Sequence, residues 1–238
     1  MDFGKSGSSM PEFVGTTVLD TIGLVIPGVD PALREQMALD PSIHSLGLIS
    51  SRTGAAGQVT AVDDAIKSTN TKLISVELPR DTRGWGGHGN YIVIGGRDVS
   101  DVRRAVELAL QLTKKYAGEV YISQAGHLEI AFSASAGEAL NRVFAIPVGR
   151  AFGFMAGSPA AIGMVMTDAA LKSAGITLTR YMTPDHGTSH SNEVIIAFTG
   201  ETDAVKTAVL RGREVGLQLL RTMGDDEPGG PSTPFLKD

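Results

Sequence analysis

VDDAIKSTN (residues 62–70) returns as TDAALKSAG (167–175). Asp63, Ala65, Lys67 and Ser68 of the first copy stand at Asp168, Ala170, Lys172 and Ser173 of the second, a constant offset of 105. The same offset relates Pro79 to Pro184, Gly95 to Gly200 and Asp98 to Asp203. Upstream it reads 106, from Leu24 to Ile130, Pro41 to Pro147 and Gly47 to Gly153. A period this long with two copies is a tandem duplication. A solenoid needs at least about three units.

Each copy carries the same order of patterns. In the first, TIGLVIP (21–27), SLGLIS (45–50), KLISVELP (72–79) and YIVIGG (91–96) read as short apolar strands. Asp30-Pro31 is an N-cap followed by proline at the first helical position, so a short helix follows. After Asp98, residues Val99, Val102, Ala105, Val106, Ala109 and Leu110 keep the i, i+3, i+4, i+7 spacing of one buried helical stripe. In the second copy HLEIAFS (127–133), GEALNRVF (137–144), AFGFMAG (151–157), TLTRYMTP (177–184) and EVIIAFTG (193–200) follow in the same order. A last helix after Asp203 has its predicted stripe at Ala204, Ala208, Val209, Val215 and Leu219 and stops at Gly224. The reading is an α/β chain of the α+β kind, sandwich-like, with two units that are each a small sheet flanked by helices. The expected boundaries are a flexible segment 1–13, units 14–116 and 117–222, and a disordered tail 223–238.

Composition narrows the function. The chain has 238 residues, is 42% hydrophobic and carries a net charge of −5 without a basic face, so a nucleic-acid partner is not expected. It has no cysteine, which excludes disulfide and thiolate chemistry. No apolar run reaches the roughly 18 residues of a membrane span, so no membrane is expected.

The loops after residues 79 and 184 gather the reactive side chains. The first, RDTRGWGGHGN (80–90), holds Asp81, Trp85 and His88; the second, DHGTSHSN (185–192), holds Asp185, His186 and His190, with Glu193 next to it. Taken alone they allow an acid–base pair, a metal site or a small-molecule site. The spacing fits no ligand motif. The glycines 84, 86, 87 and 89 are followed by a strand, so the dinucleotide fingerprint fails its context test. Trp85 reads equally as a ligand anchor or an anchor for its own loop.

VDDAIKSTNT…YIVIGGRDVSDVRRAVE and TDAALKSAGI…VIIAFTGETDAVKTAV resemble the shell domain of bacterial microcompartments, over about residues 14–222. Because the elements at 21–38 and 127–144 precede each motif, the order resembles the circularly permuted tandem class, most closely its B-type members from propanediol-utilising compartments. The resemblance implies a structural shell protein rather than an enzyme, with neither cofactor nor metal. It implies a homotrimer that forms a flat pseudohexameric tile among other shell proteins in a cytoplasmic microcompartment shell. Encapsulated enzymes are implied as further partners. Lys67 and Lys172 would lie at tile edges. A channel for small diols, alcohols or aldehydes would be lined by Ser51, Arg52 and Thr53, by His88 and Asn90, and by Ser189, His190, Ser191, Asn192 and Glu193. With short polar side chains, such a lining passes neutral solutes weakly, and His88 and His190 would make passage pH-dependent. The alternative is a small-molecule-binding protein or enzyme that uses the His- and Gly-containing loops.

Overall fold

Two five-stranded antiparallel sheets carry the duplicated pattern in a computed structural model that describes residues 11–80, 88–224 and 229–236. The first unit runs β1 (Glu12–Thr17), β2 (Thr21–Ile26), α1 (Pro31–Gln36), β3 (Ser45–Ser51), α2 (Ala56–Lys67), β4 (Lys72–Glu77), β5 (Asn90–Gly96) and α3 (Val99–Tyr116). After a 3-10 turn at Ala117–Glu119, the second runs β6 (Val120–Ile122), β7 (His127–Ser133), α4 (Glu138–Phe144), β8 (Ala151–Ser158), α5 (Ala160–Ser173), β9 (Ile176–Met182), β10 (Val194–Gly200) and α6 (Thr202–Thr222). The strand orders β1-β2-β3-β5-β4 and β6-β7-β8-β10-β9 are the same topology twice. The edge strands β1 and β6 had no expectation behind them. EFVGTT does not alternate cleanly, and β6 is three residues long. No helix among the described residues is long and apolar enough to cross a membrane.

The repeat is less regular than a fixed offset. Ala38 and Ala145, the left-handed residues after α1 and α4 (φ 48° and 56°), are 107 apart, and so are the N-caps Asp30 and Gly137. The N-caps of α3 and α6 are Asp98 and Glu201, 103 apart. Leu24 therefore corresponds to Ala131 and Asp98 to Glu201. The offset falls from 107 to 103 along the chain because each loop of the second unit is trimmed slightly. Likewise, the buried line of α6 runs through Val205, Ala208, Val209, Gly212, Gly216 and Leu220, not through Ala204, Val215 and Leu219. A Cβ at Gly212 would collide with the Met155 sulfur, so the helix approaches β8 along its glycines. An apolar-residue pattern does not count glycines as core.

Above the sheets the two units share a core. Val25, Ile49, Val59, Ile94 and Val106 of the first pack in one cluster with Ala131, Leu140, Phe144, Phe152 and Phe154 of the second. Two buried carboxylates close this seam reciprocally. Asp63 on α2 accepts hydrogen bonds from the N–H groups of Gly137 (2.7 Å), Ala139 (3.0 Å) and Leu140 (3.2 Å) at the start of α4. Glu129 on β7 accepts from Ala55 (3.0 Å), Ala56 (2.7 Å) and Gly57 (3.4 Å) at the start of α2. Each unit thus caps the other's helix, where backbone donors and the helix dipole both favour an anion.

The tail expected to be disordered from residue 223 instead packs over residues 229–236. Phe235 and Leu236 have their N–H groups bonded to the buried Glu119 carboxylate, and Leu236 joins the second unit's core. The two apolar residues and that carboxylate outweigh the Pro-Gly composition that suggested disorder.

Removing the Asp63 carboxylate as Asp63→Ala orphans three backbone donors and takes one of three partners from the Lys67 ammonium. It should lower the unfolding free energy by about 3 kcal/mol, whereas Asp168→Ala in the isolated chain should change it by less than about 0.5 kcal/mol. Urea denaturation at one fixed protein concentration reads the difference, and equal losses for the two variants contradict it.

Candidate functional site

Where the seam opens, the two units enclose a cavity of about 60 Å³. By volume that is room for a handful of waters or one small polyol. Its apolar walls include Leu78, Ile122, Phe144 and Phe154, and its polar groups are few: Thr53, His88, His127, Glu129 and Glu193. A mostly apolar pocket with a few convergent polar groups is the usual form of a small-molecule site.

Each polar side chain arrives by a different local route. His88 is held just before β5, where Gly89 N–H bonds to Pro79 O (2.9 Å) and Arg80 pairs with His88 across a short bridge. Glu193 stands just before β10, in a turn where its own N–H bonds to Ser191 O (2.8 Å). The two meet across the seam, with His88 Nδ1 donating to Glu193 Oε1 at 2.6 Å, both side chains nearly out of solvent. Glu129 points in from β7 while capping α2. His127 begins β7, opposite Ser158 of β8. Its Nδ1 is buried without a hydrogen-bond partner among the described protein atoms. Burial pushes the His127 pKa below the usual histidine range. The carboxylates of Glu193 and Glu129 oppose that shift and His88 adds to it. The imidazole is therefore neutral near pH 7, with a ring nitrogen to be satisfied by whatever occupies the cavity.

The sequence-predicted channel residues divide into three groups. Thr53, His88 and Glu193 line the cavity. Ser51 and Asn90 lie beside it in a buried network: Asn90 Nδ2 donates to Ser51 Oγ (2.7 Å) and to Gly54 O (3.0 Å), and Gln58 Nε2 donates to Thr53 O (3.0 Å). These bonds fix the loop that forms one wall. Arg52 lies on the outer surface beside Thr16, Thr17 and Asp20. Ser189 and His190 are exposed with positive φ, and the Ser189 carbonyl accepts a bond from Arg80 (3.0 Å). Ser191 is buried in its own turn, and Asn192 Oδ1 caps Ala160 N–H at the start of α5 (3.1 Å). These five stand outside the cavity. Asp81, Arg83, Trp85 and the glycines 84, 86 and 87 fall outside the described residues.

Lys67 and Lys172 occupy matching places with different surroundings. The Lys67 ammonium contacts Asp63 (2.8 Å) and Asp64 (3.2 Å) and donates to Ser135 O of the second unit (2.6 Å). Lys172 is far more exposed and contacts only Asp168 (2.6 Å) among the bonds seen. Sequence reasoning missed His127 and Glu129. Both sit in HLEIAFS, whose apolar residues mark a strand, and the signal available was two ionisable groups at alternate positions of a strand otherwise buried.

The BMC domain family matches residues 45–125 and 151–224, so each match begins at the third strand of a unit, β3 or β8. The chain is 47% identical over 237 residues to the bacterial microcompartment shell protein PduB of Limosilactobacillus reuteri, covering 99% of both chains. Its fold matches the crystal structure of a trimeric bacterial microcompartment shell protein PduB with a TM-score of 0.89 at 46% identity, covering 95% of this chain and 100% of that one. It matches EtuB from Clostridium kluyveri with a TM-score of 0.90 at 46% identity, over 95% and 99%.

Because the folded pKa of His127 lies below its unfolded value of 6.5, the unfolded chain binds the extra proton first as pH falls. The stability linked to His127 is therefore complete above about pH 6.5 and is lost below it. Denaturation between pH 7.5 and 5 should show falling stability, and His127→Gln should flatten the slope. An unchanged slope in that variant rules out this source.

Proposed function

The chain belongs to the BMC domain family, and from that premise we propose that it is a structural protein of a bacterial microcompartment shell, a trimer whose six units form a pseudohexagonal tile. Each intrachain seam then serves as a passage for small polar metabolites. Other shell proteins are its neighbours in the sheet, encapsulated enzymes are contacts on the inner side, and the chain carries no catalytic activity of its own.

One observation carries the trimer. Val59 on α2 is fully buried in the cluster that the two units share, whereas its repeat partner Met164 on α5 is 45% exposed. On the receiving side Leu140 of α4 is fully buried, whereas its partner Leu33 of α1 is 42% exposed. Val165 and Leu171 extend the exposed stripe of α5. The intrachain seam uses the outer face of α2 against β7 and α4. The chain therefore still offers the same donor face on α5 and the same acceptor face on β2 and α1. A heterologous contact of this kind repeated around an axis closes a ring. Three chains give six seams, three within chains and three between them. Buried apolar side chains of this size supply the usual driving force for such an interface.

The cavity supports the passage reading and its solute class. Its size suits a small solute, and the Glu129 and Glu193 carboxyl groups in its lining suit a neutral one better than an anion. Its neutral His127 and the His88–Glu193 pair offer donors and acceptors to a hydroxyl or carbonyl. Thr53 is the one hydroxyl side chain in the lining among the described residues, so hydroxyl-type nucleophilic catalysis there would rest on Thr53 alone.

The edge role of Lys172 follows from its exposure: its stem can lie across a seam while the ammonium meets carbonyls of the next tile. Lys67 shares the role with less freedom, since Asp63 and Ser135 already hold its ammonium.

In sedimentation velocity the protein is expected as a trimer, and Met164→Asp with Val165→Asp should weaken association at least about 100-fold, because two carboxylates would be buried without partners. A monomeric wild-type protein, or an undiminished trimer in the double variant, refutes the assembly. Lys172→Ala should leave the trimer intact and reduce sheet formation seen by electron microscopy, while Lys67→Ala should reduce sheets and lower the melting temperature as well. Sheets unchanged in the doubly substituted protein remove the edge role.

A further inference from the structure

The segment 229–236 lies in a groove built to receive it. Glu119, in the 3-10 turn between the units, has a wholly buried side chain. Its Oε1 accepts the N–H groups of two consecutive residues, Phe235 (2.9 Å) and Leu236 (2.7 Å). Its Oε2 accepts from Tyr121 Oη (3.0 Å) and Arg213 Nη1 (3.3 Å), and the same Arg213 nitrogen donates to Leu236 O (3.0 Å). Glu119 and Arg213 thus grip the main chain through its donors and its acceptor together. Such a grip requires an extended peptide and no particular side chain.

Side-chain slots add selectivity. The Phe235 ring packs edge-on to Tyr116 at 5.3 Å between centroids, with the Lys115 ammonium 5.6 Å from its centre. Leu236 is 8% exposed within the second unit's core. Farther back, Gly229 O accepts from Ile122 N–H (2.8 Å), which continues the sheet beyond the edge strand β6. A Cβ at Gly230 would strike the Val120 carbonyl, and one at Gly118 the Thr233 carbonyl. Both approaches demand glycine.

We propose that this groove is a peptide-binding site, filled by the chain's own residues 229–236 as a releasable strap over the outer edge of β6. An empty groove would leave a buried carboxylate with two of its donors missing and an exposed strand edge. The site therefore favours occupancy by an extended segment with an aromatic–leucine pair and a glycine five residues before the aromatic. The strap also walls a surface groove shared with Lys67, Lys115 and Ser135, so its release alters the corner where the two units meet.

A chain ending at Gly224, titrated with a fluorescein-labelled peptide of residues 229–236 (GGPSTPFL), tests this by anisotropy. The expected result is saturable one-to-one binding, weakened at least about 10-fold by Glu119→Gln in the protein or Phe235→Ala in the peptide. A folded shortened chain that does not bind, or equal binding by the Glu119→Gln protein, overturns the proposal. Should the shortened chain fail to fold, hydrogen exchange on the full chain with Phe235→Ala and Leu236→Ala decides. Exchange of the Ile122 amide should then speed up at least about 10-fold while β3 and β5 amides keep their protection. Unchanged protection at Ile122 overturns it.

Discussion

Two carboxylates exchanged across the seam hold the rest of this structure in register. Asp63 lies 74 to 77 residues from the amides it caps, and Glu129 lies 72 to 74 residues from its own. A buried carboxylate without partners is expensive to desolvate, so each charge is tolerated only where the other unit's helix start meets it. That requirement sets both the distance and the rotation between the sheets. The apolar cluster above the seam can then fill, because Phe144, Phe152 and Phe154 are presented to α2 and α3 at a fixed depth. Apolar packing is non-directional and would accept several relative rotations of the units. The paired caps accept one.

The same constraint explains how one motif serves two purposes. In the first copy Asp63 is buried and spans the seam. In the second, Asp168 is exposed and, among the described residues, holds its own Lys172. Sequence similarity between the copies is high at these positions, yet their surroundings differ because each unit has one partner inside the chain and one open face. The exposure of Met164 and Leu33 is the same fact seen from the apolar side. A helix that is a core element in one half is a surface element in the other until a neighbouring copy arrives.

Most of the fold was legible in the sequence, for physical reasons that can be named. The strand and helix order followed from periodicity, and the duplication from VDDAIKSTN and its echo, which keep Asp, Ala, Lys and Ser at the same spacing. The long stripe of α3 was legible because its core residues are apolar. That of α6 was misread because Gly212 and Gly216 do the packing there through the absence of a side chain. The constant offset was misleading because loops absorb single-residue deletions without moving the strands they join. At the site, loop residues drew notice because polar clusters in loops look chemical. His190 and Asn192 proved to face outward, and the strand supplied His127 and Glu129 instead. Residues 229–236 looked disordered because their composition says nothing of Glu119, more than a hundred residues away.

Fusion of the two units matters for chemistry as well as symmetry. In a ring of identical domains every seam must carry the same side chains. Here Glu129 and His127 of the intrachain seam correspond, at the offset of 107 that relates β2 to β7, to Ile22 and Asp20. In the proposed trimer the seam between chains would therefore lack both the helix-capping carboxylate and the buried imidazole. The polar cavity belongs to one seam type out of two, and a trimer would carry three such cavities where a hexamer of single domains would carry six or none. Divergence after duplication therefore lets the intrachain seam hold a polar cavity that the proposed seam between chains would not repeat, without any loss of hexagonal outline.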